Sequence, residues 1–197
     1  MSFSKNIIGK GFIAKNLLKI NSTINQNGMI VYAAGISNSQ TKSKKQFVKE
    51  IKLFKNFTKK NYKSKIMYIS TADVSNNLKN RTKYVKNKIK IEKIIKKNFN
   101  NFIILRIHQL IGKSRNKNTL INFFYNKIKE KKKIIVFKNV KRNILDIDDI
   151  IKMIQVIIMN KKVNKKIITL SNKNFIKPIE IIKILEKRLK KNANYIL

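Results

Sequence analysis

The start of the chain carries the tightest constraint on its fold. Lys5-Asn6-Ile7-Ile8 is a short apolar run that ends in Gly9-Lys10-Gly11-Phe12-Ile13-Ala14 and continues as Lys15-Asn16-Leu17-Leu18. That order reads as strand, glycine turn, helix, in the Gly-x-Gly-x-x-Ala pattern of a dinucleotide site. Gly9 permits the tight turn. Gly11 lets backbone approach a pyrophosphate at the helix start, and Ala14 is small enough for the helix to pack on the strand. The chain has only five glycines, and two of them fall here. A strand–turn–helix without a ligand has the same pattern, so the rest of the chain must decide.

The segment after this turn is abbreviated. A dinucleotide fold ordinarily continues through further strands, with an acidic residue ~20 positions on that holds the adenosine ribose. Here the first helix is expected to run to about Ile20. Asn21-Ser22-Thr23-Ile24-Asn25-Gln26-Asn27-Gly28 reads as a polar stretch leading straight into the strand Met29-Ile30-Val31-Tyr32-Ala33. A full strand–helix–strand crossover does not fit that length. No Asp or Glu occurs before Glu50.

The remaining elements alternate as an α/β chain should. Ala33-Ala34-Gly35 are small residues against which a flat ligand could lie. A helix passes through Phe47, Ile51, Phe54 and Phe57, and these phenylalanines read as core. Lys65-Ile66-Met67-Tyr68-Ile69 is a strand, with Ser70-Thr71-Ala72-Asp73 just past its carboxyl end. Tyr84-Val85-Lys86-Asn87-Lys88 opens the next helix and puts a Tyr and a Lys on one face, a turn apart. A neighbouring ammonium favours the phenolate and is expected to lower the Tyr84 pKa. In so lysine-rich a chain the spacing alone equally describes a solvated helix face. Phe102-Ile103-Ile104-Leu105 is a strand, residues 119–128 a helix, and 134–137 and 167–170 short strands. Asp149 reads as the N-cap of a helix over 150–159, and Pro178 as the first turn of the last helix.

Composition excludes some classes of function. The chain has no Cys and a single His, His108, so there is no disulfide or thiolate chemistry and no metal ligand set is read. His108 reads as structural. No apolar run approaches the length of a membrane span, and a cytoplasmic location is the expectation. There are 47 Lys+Arg against 9 Asp+Glu, a net charge of +38. Such a charge attracts polyanions. The lysines are nevertheless spread over every segment, on the polar faces of ordinary amphipathic patterns, which points to composition and away from a specific nucleic-acid site.

These landmarks together resemble the extended short-chain dehydrogenase/reductases, the NAD-dependent epimerase/dehydratase group acting on nucleotide sugars, from about residue 5 to about 185. Gly9-Lys10-Gly11-Phe12-Ile13-Ala14 is similar to the family's Gly-x-Gly-Phe-Ile-Gly turn. Val31-Tyr32-Ala33-Ala34-Gly35 resembles its cofactor-lining strand. Tyr68-Ile69-Ser70-Thr71 resembles the strand end with the catalytic Ser/Thr, and Tyr84 and Lys88 match Tyr-x-x-x-Lys. Leu105-Arg106-Ile107-His108-Gln109-Leu110-Ile111-Gly112 is similar to Leu-Arg-x-x-Asn-x-x-Gly, with Gln109 where Asn is usual. Arg142-Asn143-Ile144-Leu145-Asp146-Ile147-Asp148-Asp149 is similar to Arg-Asp-x-x-x-Val-x-Asp.

The resemblance implies a Rossmann-like parallel sheet flanked by helices, without the usual second and third strands. It implies a shortened cofactor-binding part over 1–111 and a small α+β substrate part over 112–197, in one compact unit. By resemblance, Thr71, Tyr84 and Lys88 are catalytic. Gly9, Gly11, Phe12, Ile13, Ala33, Ala34, Gly35 and Lys88 hold NAD or NADP, bound more weakly for want of the adenosine contacts. Gln109, Asn118, Leu120 and Arg142 contact the nucleotide sugar. Family dehydratases carry Asp-Glu after the Thr; Ala72-Asp73 here leaves epimerase or keto-reductase, in surface-polysaccharide biosynthesis. A homodimer would use the helices around Phe54 and Ile91, unless these only cover the sheet. Two alternatives stay open: a non-catalytic descendant that binds a nucleotide sugar or a partner protein, and a basic polyanion binder.

Overall fold

A computed structural model describes residues 4–76, 81–113 and 119–196. In chain order the elements are β1 (Ile7–Ile8), α1 (Phe12–Leu17), a 3-10 turn (Leu18–Ile20), α2 (Asn21–Gln26), β2 (Met29–Tyr32), α3 (Lys44–Asn61) and β3 (Lys65–Thr71). Next come a second 3-10 turn (Ala72–Ser75), α4 (Lys83–Asn98), β4 (Phe102–Ile107), β5 (Gln109–Ile111), α5 (Leu120–Lys129) and β6 (Ile134–Ile135). The chain closes with β7 (Ile144–Asp146), α6 (Ile147–Met159), β8 (Lys166–Leu170), α7 (Pro178–Leu189) and β9 (Tyr195–Ile196).

The main sheet has five parallel strands in the order β1-β2-β3-β4-β8. β1 pairs directly with β2, Ile7 opposite Val31, so no strand stands between them, as the short spacer requires. The spacer itself is not a polar loop. Residues 21–26 are helical, because Ile20, Thr23 and Ile24 recur at helical spacing and are buried.

Side-chain alternation along β3 sets the two faces. Ile66 and Tyr68 join Tyr32, Phe54, Ile91, Ile95, Phe99, Phe102 and Ile104 in the core under α3 and α4. Tyr32 and Phe54 meet edge to face at 4.8 Å. Truncating Phe54 to Ala would cost about 3–5 kcal/mol. Met67 and Ile69 point the other way and are buried as well, as a parallel sheet covered on both faces demands. On that side α2 packs against β2, and α1 and α2 pack against α6, with Gln155 Nε2 donating to Thr23 Oγ1 at 3.1 Å.

The chain therefore leaves β1 toward one face and β2 toward the other. A crevice opens between adjacent parallel strands wherever their outgoing connections diverge in this way. The steps also run in one direction across the sheet, yet α1, α2 and α6 lie on one face and α3 and α4 on the other, so the crossovers cannot all share one hand, against the usual preference.

The division of the chain differs from a cut at residue 111. One unit comprises 1–108 and 147–170, the other 109–146 and 171–197. Segment 147–170 returns to the first unit because β8 pairs with β4, Ile104 opposite Ile167. α6 begins at Ile147 with Asp148 and Asp149 in its first turn, so Asp149 lies inside the helix and is not its N-cap. In the second unit β5 pairs with β7, β6 with β9, and α5 and α7 enclose a small core of Phe124, Ile128, Ile134, Val136, Ile181 and Ile182. β6 stops at Ile135, although the Val136 amide still donates to Ile196 O at 2.9 Å.

Candidate active site

The carboxyl ends of β1 to β4 form one edge of the main sheet. At β1 the chain turns through Gly9, whose φ of +143° and close approach to β2 both require glycine. A Cβ there would lie 2.7 Å from the Ala33 carbonyl oxygen. The Ala33 amide donates to Ile8 O at 2.8 Å, which fastens the two strand ends together. Gly11 differs: among the described residues a Cβ at that position would meet nothing within 4 Å. Phe12 and Ile13 are half-buried behind it, and Ala33 and Ala34 are half-buried at the end of β2. Open space at Gly11, small residues on the neighbouring strand end and diverging connections fit a dinucleotide lying across β1 and β2.

Helix α4 carries Tyr84 and Lys88. Thr82 caps it, its Oγ1 accepting from the Val85 amide at 3.2 Å. Tyr84 is thereby placed in the first turn, and Lys88 one turn later. The Lys88 ammonium is 5.6 Å from the centre of the Tyr84 ring and 5.5 Å from that of Tyr68. Lys88 also pairs with Glu50 of α3, Nζ to Oε1 at 3.2 Å, with both side chains 6% exposed. Asn87 Nδ2 donates to the other oxygen, Oε2, at 2.7 Å.

The expected lowering of the Tyr84 pKa is not what the surroundings produce. Burial pushes it up. Lys88 pulls it down, but Tyr68, Glu50 and Asp73 push it up further, and it ends above the usual phenol value. Tyr84 is thus a neutral phenol around pH 7, a proton donor in its resting state. Tyr32 is raised to about 12 by burial and Glu50, against Lys88.

Thr71 ends β3. Its hydroxyl bonds to Asp73 Oδ2 and accepts from the Asp73 amide, each at 3.4 Å. Asp73 acts electrostatically on both Tyr84 and His108, which places Thr71, Asp73, Tyr84 and His108 in one neighbourhood. The turn carrying Asp73 is tied down from below. Glu92 of α4 accepts from Ser70 Oγ at 2.7 Å and from Arg106 Nε and Nη2 at 3.1 and 2.7 Å. Arg106 Nη1 in turn donates to Ser75 Oγ at 3.0 Å.

The residues expected to contact substrate fall in the second unit. Gln109 is half-buried on β5, opposite Ile144. Arg142 is exposed two positions before Ile144, and its backbone makes an antiparallel bridge with Ile176. Leu120 is partly buried against that unit's core, a packing role that by itself explains its apolar character. Asn118 lies outside the described residues.

Sequence reasoning missed Glu50 and Glu92. Both were visible in principle. Glu50 sits between Phe47 and Phe54 on the buried face of α3, and Glu92 falls one turn after Lys88, beside Ile91. A carboxylate at an apolar position of a helical repeat must have a partner. Among the described residues no group of three or more His, Cys, Asp and Glu side chains could hold a metal ion. No helix among them is long and apolar enough to cross a membrane.

The chain matches the family model of the NAD dependent epimerase/dehydratase family over residues 15–170. No curated protein sequence matches. Among solved structures it is similar to the UDP-glucuronic acid 4-epimerase of Bacillus cereus in complex with UDP-glucuronic acid and NAD, at 20% identity and a TM-score of 0.72, over 91% of this chain and 64% of that one. It is similar to MoeE5 in complex with UDP-glucose and NAD, at 10% identity and 0.77, over 96% and 84%. A third is RMD from Pseudomonas aeruginosa complexed with NADPH, at 12% identity and 0.72, over 96% and 86%. Likeness at these identities is a likeness of fold, and the chain spans 64% of the length of the first of them. The family match covers most of the chain and includes Thr71, Tyr84, Lys88 and Arg106, so this chain belongs to the NAD dependent epimerase/dehydratase family.

Proposed function

We propose that this chain is an NAD(P)-dependent nucleotide-sugar epimerase or keto-reductase, cytoplasmic and serving surface-polysaccharide biosynthesis. The observation that carries the reading is the α4 pair. Tyr84 stands one turn from a buried, ion-paired Lys88, at the sheet edge where Thr71 ends β3.

The dinucleotide would be held by the Gly9–Gly11 turn, by Phe12 and Ile13, by the backbone of Ala33, Ala34 and Gly35, and by Lys88. When bound, it supplies hydride transfer between its nicotinamide ring and a sugar carbon. The protein moves the matching proton. In carbonyl reduction Tyr84 Oη gives its proton to the substrate oxygen as the carbon receives hydride. In alcohol oxidation the deprotonated form of Tyr84, the phenolate, takes the hydroxyl proton and becomes the phenol as hydride leaves. Lys88 stabilises the phenolate that reduction leaves behind, and an ammonium with three donors has N–H groups beyond the one given to Glu50. Thr71 donates a hydrogen bond to the reacting oxygen. A resting neutral phenol is ready for the reductive direction. Gln109 and Arg142 are assigned to the nucleotide sugar, Arg142 to its diphosphate, where a guanidinium binds bidentately.

Titration of NADH and NADPH with protein, followed by dinucleotide fluorescence, tests the reading. The chain has no Trp to complicate the signal. Saturable binding is expected, with turnover of a nucleotide-sugar substrate that Tyr84→Phe abolishes while binding stays nearly intact. Absence of binding at high micromolar protein would sink the oxidoreductase reading, and turnover surviving in Tyr84→Phe would remove Tyr84 from its role.

A further inference from the structure

Glu50 is the chain's first acidic residue, and it is buried. It occupies a core position of α3, between Phe47 and Phe54, where an ionised carboxylate is tolerated only if both oxygens are engaged. Both are, and by consecutive residues of α4: Lys88 Nζ holds Oε1 at 3.2 Å and Asn87 Nδ2 holds Oε2 at 2.7 Å. Two donors on two different oxygens fix the rotation of the carboxylate as well as its position.

The end of β2 abuts the same atoms. A Cβ on Gly35 would fall 2.5 Å from Glu50 Oε1 and 2.9 Å from Lys88 Nζ, on the two atoms that form the ion pair. Gly35 has a φ in the ordinary range for any residue, so the absence of a side chain there answers to the pair and not to backbone strain. A lysine stem is flexible and carries its ammonium to water when nothing holds it. Here the ammonium is confined by Glu50, by the Tyr68 and Tyr84 rings at 5.5 and 5.6 Å, and by the Gly35 backbone.

We propose that Glu50 is a positioning residue: its carboxylate, steadied by Asn87 and seated against the backbone of Gly35, fixes the Lys88 ammonium beside Tyr84. Gly35 is then glycine to make room for that pair, in addition to lining the cofactor. The inference rests on the proposed function only in what Lys88 is positioned for; the positioning itself is a property of the chain.

Two readouts keep the two apart. The first is trace reductive methylation with peptide mapping, which reports how available Lys88 is whether or not a dinucleotide binds. Lys88 should be protected in the native protein and in Glu50→Gln, whose amide oxygen still accepts from Lys88, and labelled much faster in Glu50→Ala. The second is NADH and NADPH affinity. It should hold in Glu50→Gln and fall by about tenfold or more in Glu50→Ala, as misplacing a group that orients a ligand does. If Glu50→Ala does not fold, Gly35→Ala presses on the same pair without deleting a charge, and it should raise both Lys88 labelling and the dissociation constant. Lys88 labelling unchanged in the folded variant used would overturn the proposal, as would equal loss of affinity in Glu50→Gln and Glu50→Ala. A native protein that binds neither dinucleotide would refute the proposed function and leave the labelling result to decide on Glu50.

Discussion

Removing the Glu92 carboxylate should be among the most damaging single changes in the first unit. Its side chain is 4% exposed, and its Arg106 partner 17%, so neither charge is well screened by solvent. Glu92→Ala would strand the Arg106 guanidinium and the Ser70 hydroxyl, both bonded to Glu92 at 2.7 Å. Breaking a buried pair from one side costs about 3–5 kcal/mol. The lower end applies because Arg106 keeps Ser75 at 3.0 Å and some contact with water. A loss of about 3 kcal/mol corresponds to a melting temperature lower by roughly 6–12 °C in a chain of this size. Guanidinium unfolding followed by far-UV circular dichroism measures it. Replacing both partners, as Glu92→Leu with Arg106→Met, should recover most of the loss, since no charge is then left unpaired. The same change should loosen the turn over Ala72–Ser75 and with it the bonds between Thr71 and Asp73. A loss under about 1 kcal/mol in Glu92→Ala would refute the reasoning, since that is the scale of an exposed pair.

The two turn glycines should respond oppositely. Gly9→Ala forces a Cβ against Ala33 O at a φ of +143° and should destabilise by about 1–3 kcal/mol, whereas Gly11→Ala should leave the melting temperature unchanged and weaken dinucleotide binding. Among the described residues the buried Tyr68 hydroxyl has no hydrogen-bond partner, so Tyr68→Phe should be neutral or stabilising by up to about 1 kcal/mol; a clear drop in denaturation midpoint would contradict that. Burial holds the His108 pKa below its usual value, against an upward pull from Asp73. The unfolded chain then binds more protons than the folded one as pH falls below the ordinary imidazole pKa, and stability should decline through the folded-state pKa. His108→Asn should flatten that part of a stability–pH profile, and an unchanged slope would remove His108 as its source.

Much of the framework was legible because it is local. β3 alternates Ile66, Tyr68 and Ser70 against Met67 and Ile69, and that alternation alone assigns its two faces. Pro178 marked the start of α7, where it stands at the first helical position with the Lys177 amide donating to Glu180 Oε2 at 3.1 Å. Helical spacing brought Tyr84 and Lys88 to one face. Locality also misled. Asn21–Gln26 has the polar composition of a loop, yet it is helical because Thr23 and Ile24 are buried. Asp149 has the chemistry of an N-cap, yet the helix starts earlier, at Ile147, which is buried. In both cases burial against distant parts of the chain outweighed a weak local preference.

What the sequence determined by itself, then, is whatever backbone geometry sets over a few residues: the glycine turn after β1, the face shared by Tyr84 and Lys88, and a Thr at the end of a strand. Only the tertiary structure decided which charges meet. Glu50 reaches Lys88 across 38 positions, and Gly35 closes on both from a third element. It also decided that β1 and β2 send their connections to opposite faces and so leave a crevice open. Local spacing comes from the fixed rise and turn of one element. Pairing between elements depends on which faces pack together, and there the high cost of leaving a buried charge alone selects the partner.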